Sequence, residues 1–278
     1  MQLGALIADS GKHLVYGGMD AGLMGLVASD ALAHGGEVTG IIPTKIKDSE
    51  RILKNLTETI LVDELSERKA LMFQKADAVL ALPGGFGTLD ESLEVLYWGN
   101  LGLHNKPLVL INIEGYWDGL ITYFRALPDY DEAFLIVVDS VEESFPALKN
   151  WVAPAAPQTP PSAYPNFEDQ ILVETETPLI FDNANIADSY FLVCALGLKQ
   201  LGKHNRHIGI LNKDGAFDGL LKWFETAQKE HFITSKCLNL YDTDNDKAAL
   251  LAKLDAQEKV TIDLHAEKWG ERRTEPRD

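Results

Sequence analysis

The feature that most constrains the fold of this chain is a regular alternation of two kinds of segment. Short apolar runs, rich in Val, Ile and Leu, are separated by longer segments whose apolar residues recur every three to four positions. The runs have the length of buried strands, and the longer segments have the period of helices. This order is typical of a parallel sheet covered by helices, so we predict an α/β fold.

The limits of these segments follow from where each pattern starts and stops. Strands are predicted at residues 13–16, 37–42, 78–82, 107–112 and 134–138. Helices are predicted at residues 22–34, 62–75, 88–100, 116–126 and 141–150. Residues 3–11 have the pattern of a helix end closed by a glycine, and the strand that we expect before this helix is absent from the sequence.

An internal duplication relates the two halves of the chain. A shift of 100 positions places residues 101–124 on residues 201–224, and ten of these 24 positions carry the same amino acid. The shared residues include His104 and His204 as well as the Asn, Gly and Asp of a predicted turn. Residues kept in both halves belong to the shared scaffold, so we interpret them as structural.

The duplication and a change in composition suggest the domain organisation. Residues 152–165 are rich in proline and are predicted to form an extended linker. We predict a first domain at residues 1–151. Residues 166–278 are then a degenerate α/β repeat of the C-terminal half of that domain.

The charge of the chain argues against several partners. Its 42 Asp and Glu residues outnumber 25 Lys and Arg residues, which gives a formal net charge of -17. Polyanions bind mainly through Lys and Arg, so we expect neither nucleic acid nor an anionic membrane as a partner.

The N-terminus lacks a signal-peptide pattern and no stretch approaches 18 apolar residues, which predicts a soluble cytoplasmic protein. The two cysteines, Cys194 and Cys237, have no metal-ligand spacing.

The strongest candidate for a binding site is a strand, a glycine loop and a helix in direct succession. The predicted strand 78–82 runs into the sequence PGGFGT at residues 83–88, and the helix is predicted to begin at Thr88. Glycines let a ligand approach the backbone, and the N–H groups of a first helical turn favour a phosphate or carboxylate. The spacing matches neither a P-loop nor a dinucleotide-binding fingerprint, so an ATPase or NAD site is not predicted.

A second glycine cluster, at residues 16–25, has the same position between a strand and a helix. It includes Gly17 and Gly18, and we expect it to contact the same ligand. Alone, this pattern is a weak indication of a site.

Two charged residues near these loops are candidates for chemistry. Glu91 fits a capping box with Thr88, in which the glutamate caps its own helix, but the same position also allows it to hold ribose hydroxyls or water. Helical periodicity places Arg68 on one apolar stripe of the helix, together with Leu61, Leu65 and Met72. Lys69 is predicted to lie farther round the helix, away from this stripe. A guanidinium facing the core needs an anionic or aromatic partner, which is either a structural ion pair or a ligand.

The combination of ERKALM at residues 67–72 with PGGFGTLDE at residues 83–91 resembles the LOG family of cytokinin riboside 5′-monophosphate phosphoribohydrolases, whose members are often described as lysine decarboxylases. The resemblance covers about residues 3–150. It implies a Rossmann-like open parallel sheet with helices on both faces, usually in a dimer. It also implies release of adenine or an N6-substituted adenine from a nucleoside 5′-monophosphate, without a cofactor or metal.

The resemblance also implies roles for individual residues. Arg68 and Glu91 are the implied catalytic pair. The implied substrate- and phosphate-binding residues are Gly17, Gly18, Lys69, Gly84, Gly85, Phe86, Gly87 and Thr88. The chemistry is consistent with these residue types, because cleavage of an N-glycosidic bond builds positive charge on the ribose that a carboxylate stabilises.

Two questions stay open at this point. The alternative to an enzyme is a non-catalytic nucleotide-binding or regulatory module, in which the glycine loop still holds phosphate. The assembly is either a homodimer or an intrachain pseudo-dimer, in which the second half covers the face that a partner subunit would cover.

A lysine decarboxylase is disfavoured because nothing in the sequence marks a pyridoxal phosphate site.

Overall fold

A computed structural model describes residues 2–46, 52–155 and 163–263. The helices are α1 (Gln2–Asp9), α2 (Gly22–Ala33), α3 (Leu65–Lys75), α4 (Phe86–Asn100), α5 (Asp118–Ala126), α6 (Ser144–Asn150), α7 (Glu168–Ile171), α8 (Ile186–Gln200), α9 (Asp218–Lys229) and α10 (Lys247–Ala256). The strands are β1 (His13–Tyr16), β2 (Glu37–Pro43), β3 (Glu58–Val62), β4 (Val79–Ala81), β5 (Leu108–Ile111), β6 (Leu135–Val138), β7 (Leu179–Phe181), β8 (Ile208–Leu211) and β9 (Asp242–Asp244). No helix in these ranges is long and apolar enough to cross a membrane.

The strands confirm the α/β class. In the described ranges they form three sheets with the orders β1-β2-β3, β4-β5-β6 and β7-β8-β9. Every pairing between neighbouring strands is parallel. Part of the predicted linker, residues 156–162, lies outside the described residues.

In the first half of the chain, strand β3 is an element that the sequence pattern does not predict. It pairs with β2 from Glu58 to Val62, so the helix predicted at residues 62–75 begins only at Leu65. Most of β3 is exposed, and only Val62 is buried. The apolar residues of β3, at positions 60–62, lead almost directly into the helix-period segment of α3, so the pattern does not separate the strand from the helix.

The structure divides into two compact units. Unit 1 comprises Met1–Leu82, Asn105–Ile111 and Ala133–Tyr164, and unit 2 comprises Pro83–His104, Asn112–Glu132 and Pro165–Asp278. Unit 1 therefore holds β1 to β6, whereas unit 2 holds α4 and α5 from the first half of the chain together with the second half. The boundaries predicted at residues 151 and 166 remain a prediction.

In unit 1, α1 packs closely on α2. A side chain at Gly4 would overlap the backbone of α2, and the carboxylate of Asp30 accepts a hydrogen bond of 2.9 Å from the N–H of Ala5 at the start of α1. The apolar residues beneath these helices form one buried cluster with residues of β5 and β6: Leu3, Ile7, Val27, Val109, Ile111 and Val138.

Unit 2 contains the duplication as a structural repeat. Helices α4 and α8 cover residues 86–100 and 186–200, a shift of 100 positions. His104 bonds through Nε2 to the carbonyl oxygen of Val95 at 2.8 Å, and His204 bonds in the same way to Ala195 at 2.8 Å. The side chains of Asn112 and Asn212 both bond to the backbone and to an aspartate within one turn. The structural interpretation of these shared residues is confirmed.

The two halves of unit 2 pack against each other through equivalent helices. Helix α4 packs on α8, and α5 packs on α9. An added Cβ at Gly119 would lie 3.0 Å from the carbonyl oxygen of Gly219, and one at Gly219 would lie 2.7 Å from that of Gly119. Such reciprocity is the signature of a two-fold interface, here formed within one chain.

The aromatic contacts of this interface are reciprocal as well. Trp117 of the first half stacks on Trp223 of the second, with ring centroids 5.6 Å apart. At the equivalent positions, Phe217 of the second half stacks on Tyr123 of the first at 6.1 Å. All four rings are buried, so this interface is a large part of the core of unit 2.

The close approach at Gly219 gives a stability prediction. In Gly219→Ala the new methyl would meet the Gly119 carbonyl and Tyr123, so we expect a loss of about 1–3 kcal/mol in the free energy of unfolding. The control is Gly197→Ala in α8, where an added Cβ meets nothing within 4 Å and better helix propensity gains about 0.5–1 kcal/mol. Urea denaturation measures both, and equal effects of the two substitutions would contradict the packing argument.

Candidate functional site

The residues predicted from the sequence to form the site are distributed over the two units. Gly17, Gly18, Arg68 and Lys69 belong to unit 1. The residues in unit 2 are Gly84, Gly85, Phe86, Gly87, Thr88 and Glu91.

In unit 1, the guanidinium of Arg68 lies over the backbone of Gly17. A Cβ added at Gly17 would be 3.1 Å from Nη1 of Arg68, so a side chain there would displace the guanidinium. Gly18 has a φ of +80°, and an added Cβ would overlap the side chain of Ile42. Gly18 is therefore required by its surroundings, the absence of a side chain at Gly17 leaves room for the end of the Arg68 side chain, and the structure brings Gly17 and Arg68 together.

The side of α3 that faces the core is centred one residue later than predicted, on Lys69 and not on Arg68. The buried residues of α3 are Lys69 and Phe73, one turn apart, whereas Arg68 is half-buried. The stripe was defined partly by Leu61, which lies in strand β3 and is 48% exposed. Arg68 therefore lies at the border of the core-facing side of α3, and Lys69, which is 4% exposed, points inward.

In unit 2, the glycine loop leads into α4. The helix begins at Phe86, with Gly85 as its N-cap residue. Gly84 is required by packing, because an added Cβ would overlap the side chain of Thr88. Its carbonyl oxygen also accepts a hydrogen bond from the hydroxyl of Tyr116. Gly87 differs, since it is exposed and an added Cβ meets nothing within 4 Å.

The predicted start of α4 at Thr88 is wrong by two residues. Because Gly85 is the N-cap residue, Thr88 lies inside the first turn and does not form the predicted capping box with Glu91. The capping box therefore does not explain Glu91, and its role in a site remains a prediction. The side chain of Phe86 is buried and packs edge-on against Phe224 at 5.3 Å, so only its backbone is placed for a ligand.

The starts of α4 and α8 differ, although the two helices are equivalent. At α8, the side chain of Asn185 accepts a hydrogen bond of 2.8 Å from the N–H of Asp188, and the carboxylate of Asp129 accepts one of 3.0 Å from the N–H of Ile186. At α4 the N-cap residue is Gly85, which has no side chain that could cap the helix. Protein acceptors therefore occupy first-turn donors of α8, and the N-cap residue of α4 supplies no such acceptor.

These acceptors at α8 are residues that the sequence analysis did not identify. A helix start is indicated in the sequence by Asn185, a preferred N-cap residue, with Asp188 in the first turn. Asp129 is not, because it lies 57 positions from Ile186 and reaches it only through the packing of the two halves.

Comparison with known proteins agrees with the motifs of the first half. Residues 24–147 match a family model described as "possible lysine decarboxylase". The chain is 44% identical over 136 residues to a cytokinin riboside 5′-monophosphate phosphoribohydrolase of Arabidopsis thaliana, covering 49% of this chain and 61% of the relative. It is 48% identical over 124 residues to an enzyme of the same name from Rhodococcoides fascians, covering 44% of this chain and 63% of the relative.

Each of these matches covers less than two-thirds of the relative. Among solved structures, the chain is similar to the molybdenum cofactor carrier protein of Chlamydomonas reinhardtii, with 24% identity, a TM-score of 0.44, and coverage of 54% of this chain and 84% of that one. The resemblance to the LOG family is confirmed for the first half of the chain.

The open space at Gly87 gives a test of the loop. Gly87→Ala adds a methyl that meets no protein atom, so we expect unchanged or slightly higher stability. If a phosphate lies against this first turn, the same methyl weakens its binding by about tenfold or more, which corresponds to about 1.4 kcal/mol. Titration with inorganic phosphate, followed by NMR, measures the affinity. Full phosphate affinity in a stable Gly87→Ala variant would show that the ligand does not use this turn.

Proposed function

We propose that this chain, whose residues 24–147 carry the sequence of the LOG family, hydrolyses the N-glycosidic bond of a purine nucleoside 5′-monophosphate. The substrate is AMP or a cytokinin riboside 5′-monophosphate, and the products are the free base and ribose 5-phosphate. The observation that carries the proposal is the difference between two equivalent helices: the N-cap residue of α8, Asn185, caps its helix with its side chain, whereas the N-cap residue of α4 is Gly85, which ends the glycine loop and has no side chain.

The first requirement of this reaction is a place for the phosphate in an acidic protein. With a net charge of -17, an anion binds only where the local field is positive. The N-terminus of a helix supplies at most about 2 kcal/mol, and millimolar binding already requires about 4 kcal/mol. In the proposed site the N–H groups of Gly85, Gly87 and Thr88 therefore act together with a cation, and Arg68 and Lys69 are the candidates.

The second requirement is stabilisation of the positive charge that develops on the ribose. Water forms a bond to C1′ of the ribose while the bond from C1′ to the base nitrogen breaks, and the departing base takes up a proton. Glu91 is proposed to stabilise the ribose charge and to orient the attacking water. Arg68 either neutralises the phosphate or polarises the departing base.

The direct test is incubation of the full chain with AMP and with an N6-prenylated AMP, followed by measurement of free base and ribose 5-phosphate. Release of both products in equal amounts is the expected result. Binding of the nucleotide without release would instead identify a non-catalytic nucleotide-binding module.

Glu91→Gln tests the proposed catalytic role. The substitution keeps the size of the side chain and removes its charge, so we expect kcat for base release to fall about 10²- to 10³-fold. Phosphate affinity should be close to that of the wild type, because Glu91 is proposed to act on the ribose and the water and not on the phosphate. Thermal unfolding checks that the variant is folded. A folded Glu91→Gln protein with near-normal kcat would rule out the assigned role.

The assembly and the compartment are part of the same proposal. We propose that the second half takes the place of a partner subunit, so that the chain acts as an intrachain pseudo-dimer in the cytoplasm. The reciprocal contacts of α4 with α8 and of α5 with α9 support this arrangement.

A further inference from the structure

The segment that follows α9 lies beside the glycine loop of the other half. The ring of Phe232 packs against the ring of Tyr116 with centroids 5.0 Å apart. The hydroxyl of Tyr116 in turn donates a hydrogen bond to the carbonyl oxygen of Gly84. A chain of two contacts thus runs from the second half of the protein to the loop that precedes α4.

The backbone after α9 is shaped to present Phe232. His231 has a φ of +62°, in the left-handed region that favours glycine. Its N–H bonds to the carbonyl oxygen of Gln228 at 3.1 Å, and the N–H of Phe232 bonds to that of Ala227 at 2.8 Å. This pair of bonds is the Schellman motif that reverses the chain at a helix end. The position of Phe232 is therefore fixed by backbone hydrogen bonds and not only by its ring.

This pair of contacts has no counterpart on the other side of the repeat. At the shift of 100 positions, Tyr116 corresponds to Ala216, which has neither ring nor hydroxyl, and Phe232 corresponds to Glu132, which forms an ion pair of 2.9 Å with Arg125. The helix start on that side is instead closed by Asp129. Because the shared scaffold does not need the Tyr116–Phe232 pair, the pair is better explained by the glycine loop.

We infer that the second half of the chain positions the phosphate-binding loop of the first half, with Phe232 fixing Tyr116 and Tyr116 holding the carbonyl of Gly84. This orients the loop so that the N–H groups at the start of α4 point toward the ligand. Tyr116 and Phe232 are positioning residues, since they act through Gly84. The inference rests on the proposed function in so far as it takes this loop to be the phosphate site.

The protonation state of Tyr116 is compatible with this role. Burial raises the pKa of Tyr116 above its ordinary value, and the nearby carboxylate of Glu230 raises it further. The hydroxyl is therefore protonated at neutral pH and can donate its hydrogen bond to the carbonyl oxygen of Gly84.

Two tyrosines make a matched experiment possible. Tyr116→Phe removes the hydrogen bond to Gly84, whereas Tyr123→Phe removes an equally buried hydrogen bond of 2.7 Å to Ser189 in the same interface between the halves. Both variants should lose similar stability. Only Tyr116→Phe should weaken binding of inorganic phosphate and raise KM for AMP, by roughly 2- to 10-fold, the range for one hydrogen bond. Its kcat should be nearly unchanged, because ground state and transition state lose the same interaction.

A double-mutant cycle tests whether Phe232 acts through Tyr116. Phe232→Ala should weaken phosphate binding by a similar factor, and Tyr116→Phe combined with Phe232→Ala should weaken it less than the product of the single effects. Independent effects, or equal phosphate affinity in the Tyr116→Phe and Tyr123→Phe variants, would overturn the inference. Phosphate binding that depends on Tyr116 in a protein that releases no base would contradict only the proposed function, and the positioning role would stand.

Discussion

The close packing of two similar halves is the interaction on which unit 2 depends. Gly119 and Gly219 allow the backbones of α5 and α9 to approach to contact distance, and the buried tryptophans and tyrosines around them fill the space on either side. Without a second half, the interface side of α4 and α5 would expose large aromatic surfaces to water, which isolated domains of this size rarely tolerate. The second half therefore supplies part of the core that α4 and α5 need within unit 2.

The same packing separates the roles of the two halves. One helix start is closed by Asn185 and Asp129, and the other follows a glycine loop and has no side-chain cap. Under the proposed function, this difference favours anion binding at the start of α4 over the start of α8. In unit 1, the guanidinium of Arg68 lies over the backbone of Gly17.

Much of the fold was predictable because buried parallel strands and their helices have simple periodicity. The strands β1 and β5 were predicted to within one residue at each end, and the duplication correctly identified His104 and Asn112 as structural. Two errors have local causes. The apolar residues of β3, at positions 60–62, lead almost directly into the helix-period segment of α3, and the N-cap residue of α4 is Gly85, which carries no capping side chain that would mark the helix start. The sequence located the glycine loop, but local patterns contain no signal for Tyr116, Phe232 or Asp129, which reach the two loops only through tertiary packing.

Joining both halves in one chain has a consequence for how the interface can change. In a symmetric homodimer every substitution appears twice, so a residue that improves one side of the two-fold axis is imposed on the other side as well. Here the two equivalent positions differ: Glu132 forms an ion pair with Arg125, and Phe232 packs against Tyr116. The covalent link also keeps the effective concentration of one half near the other high at any dilution. The two sides were thus free to diverge independently, one toward a closed helix start and the other toward an open one.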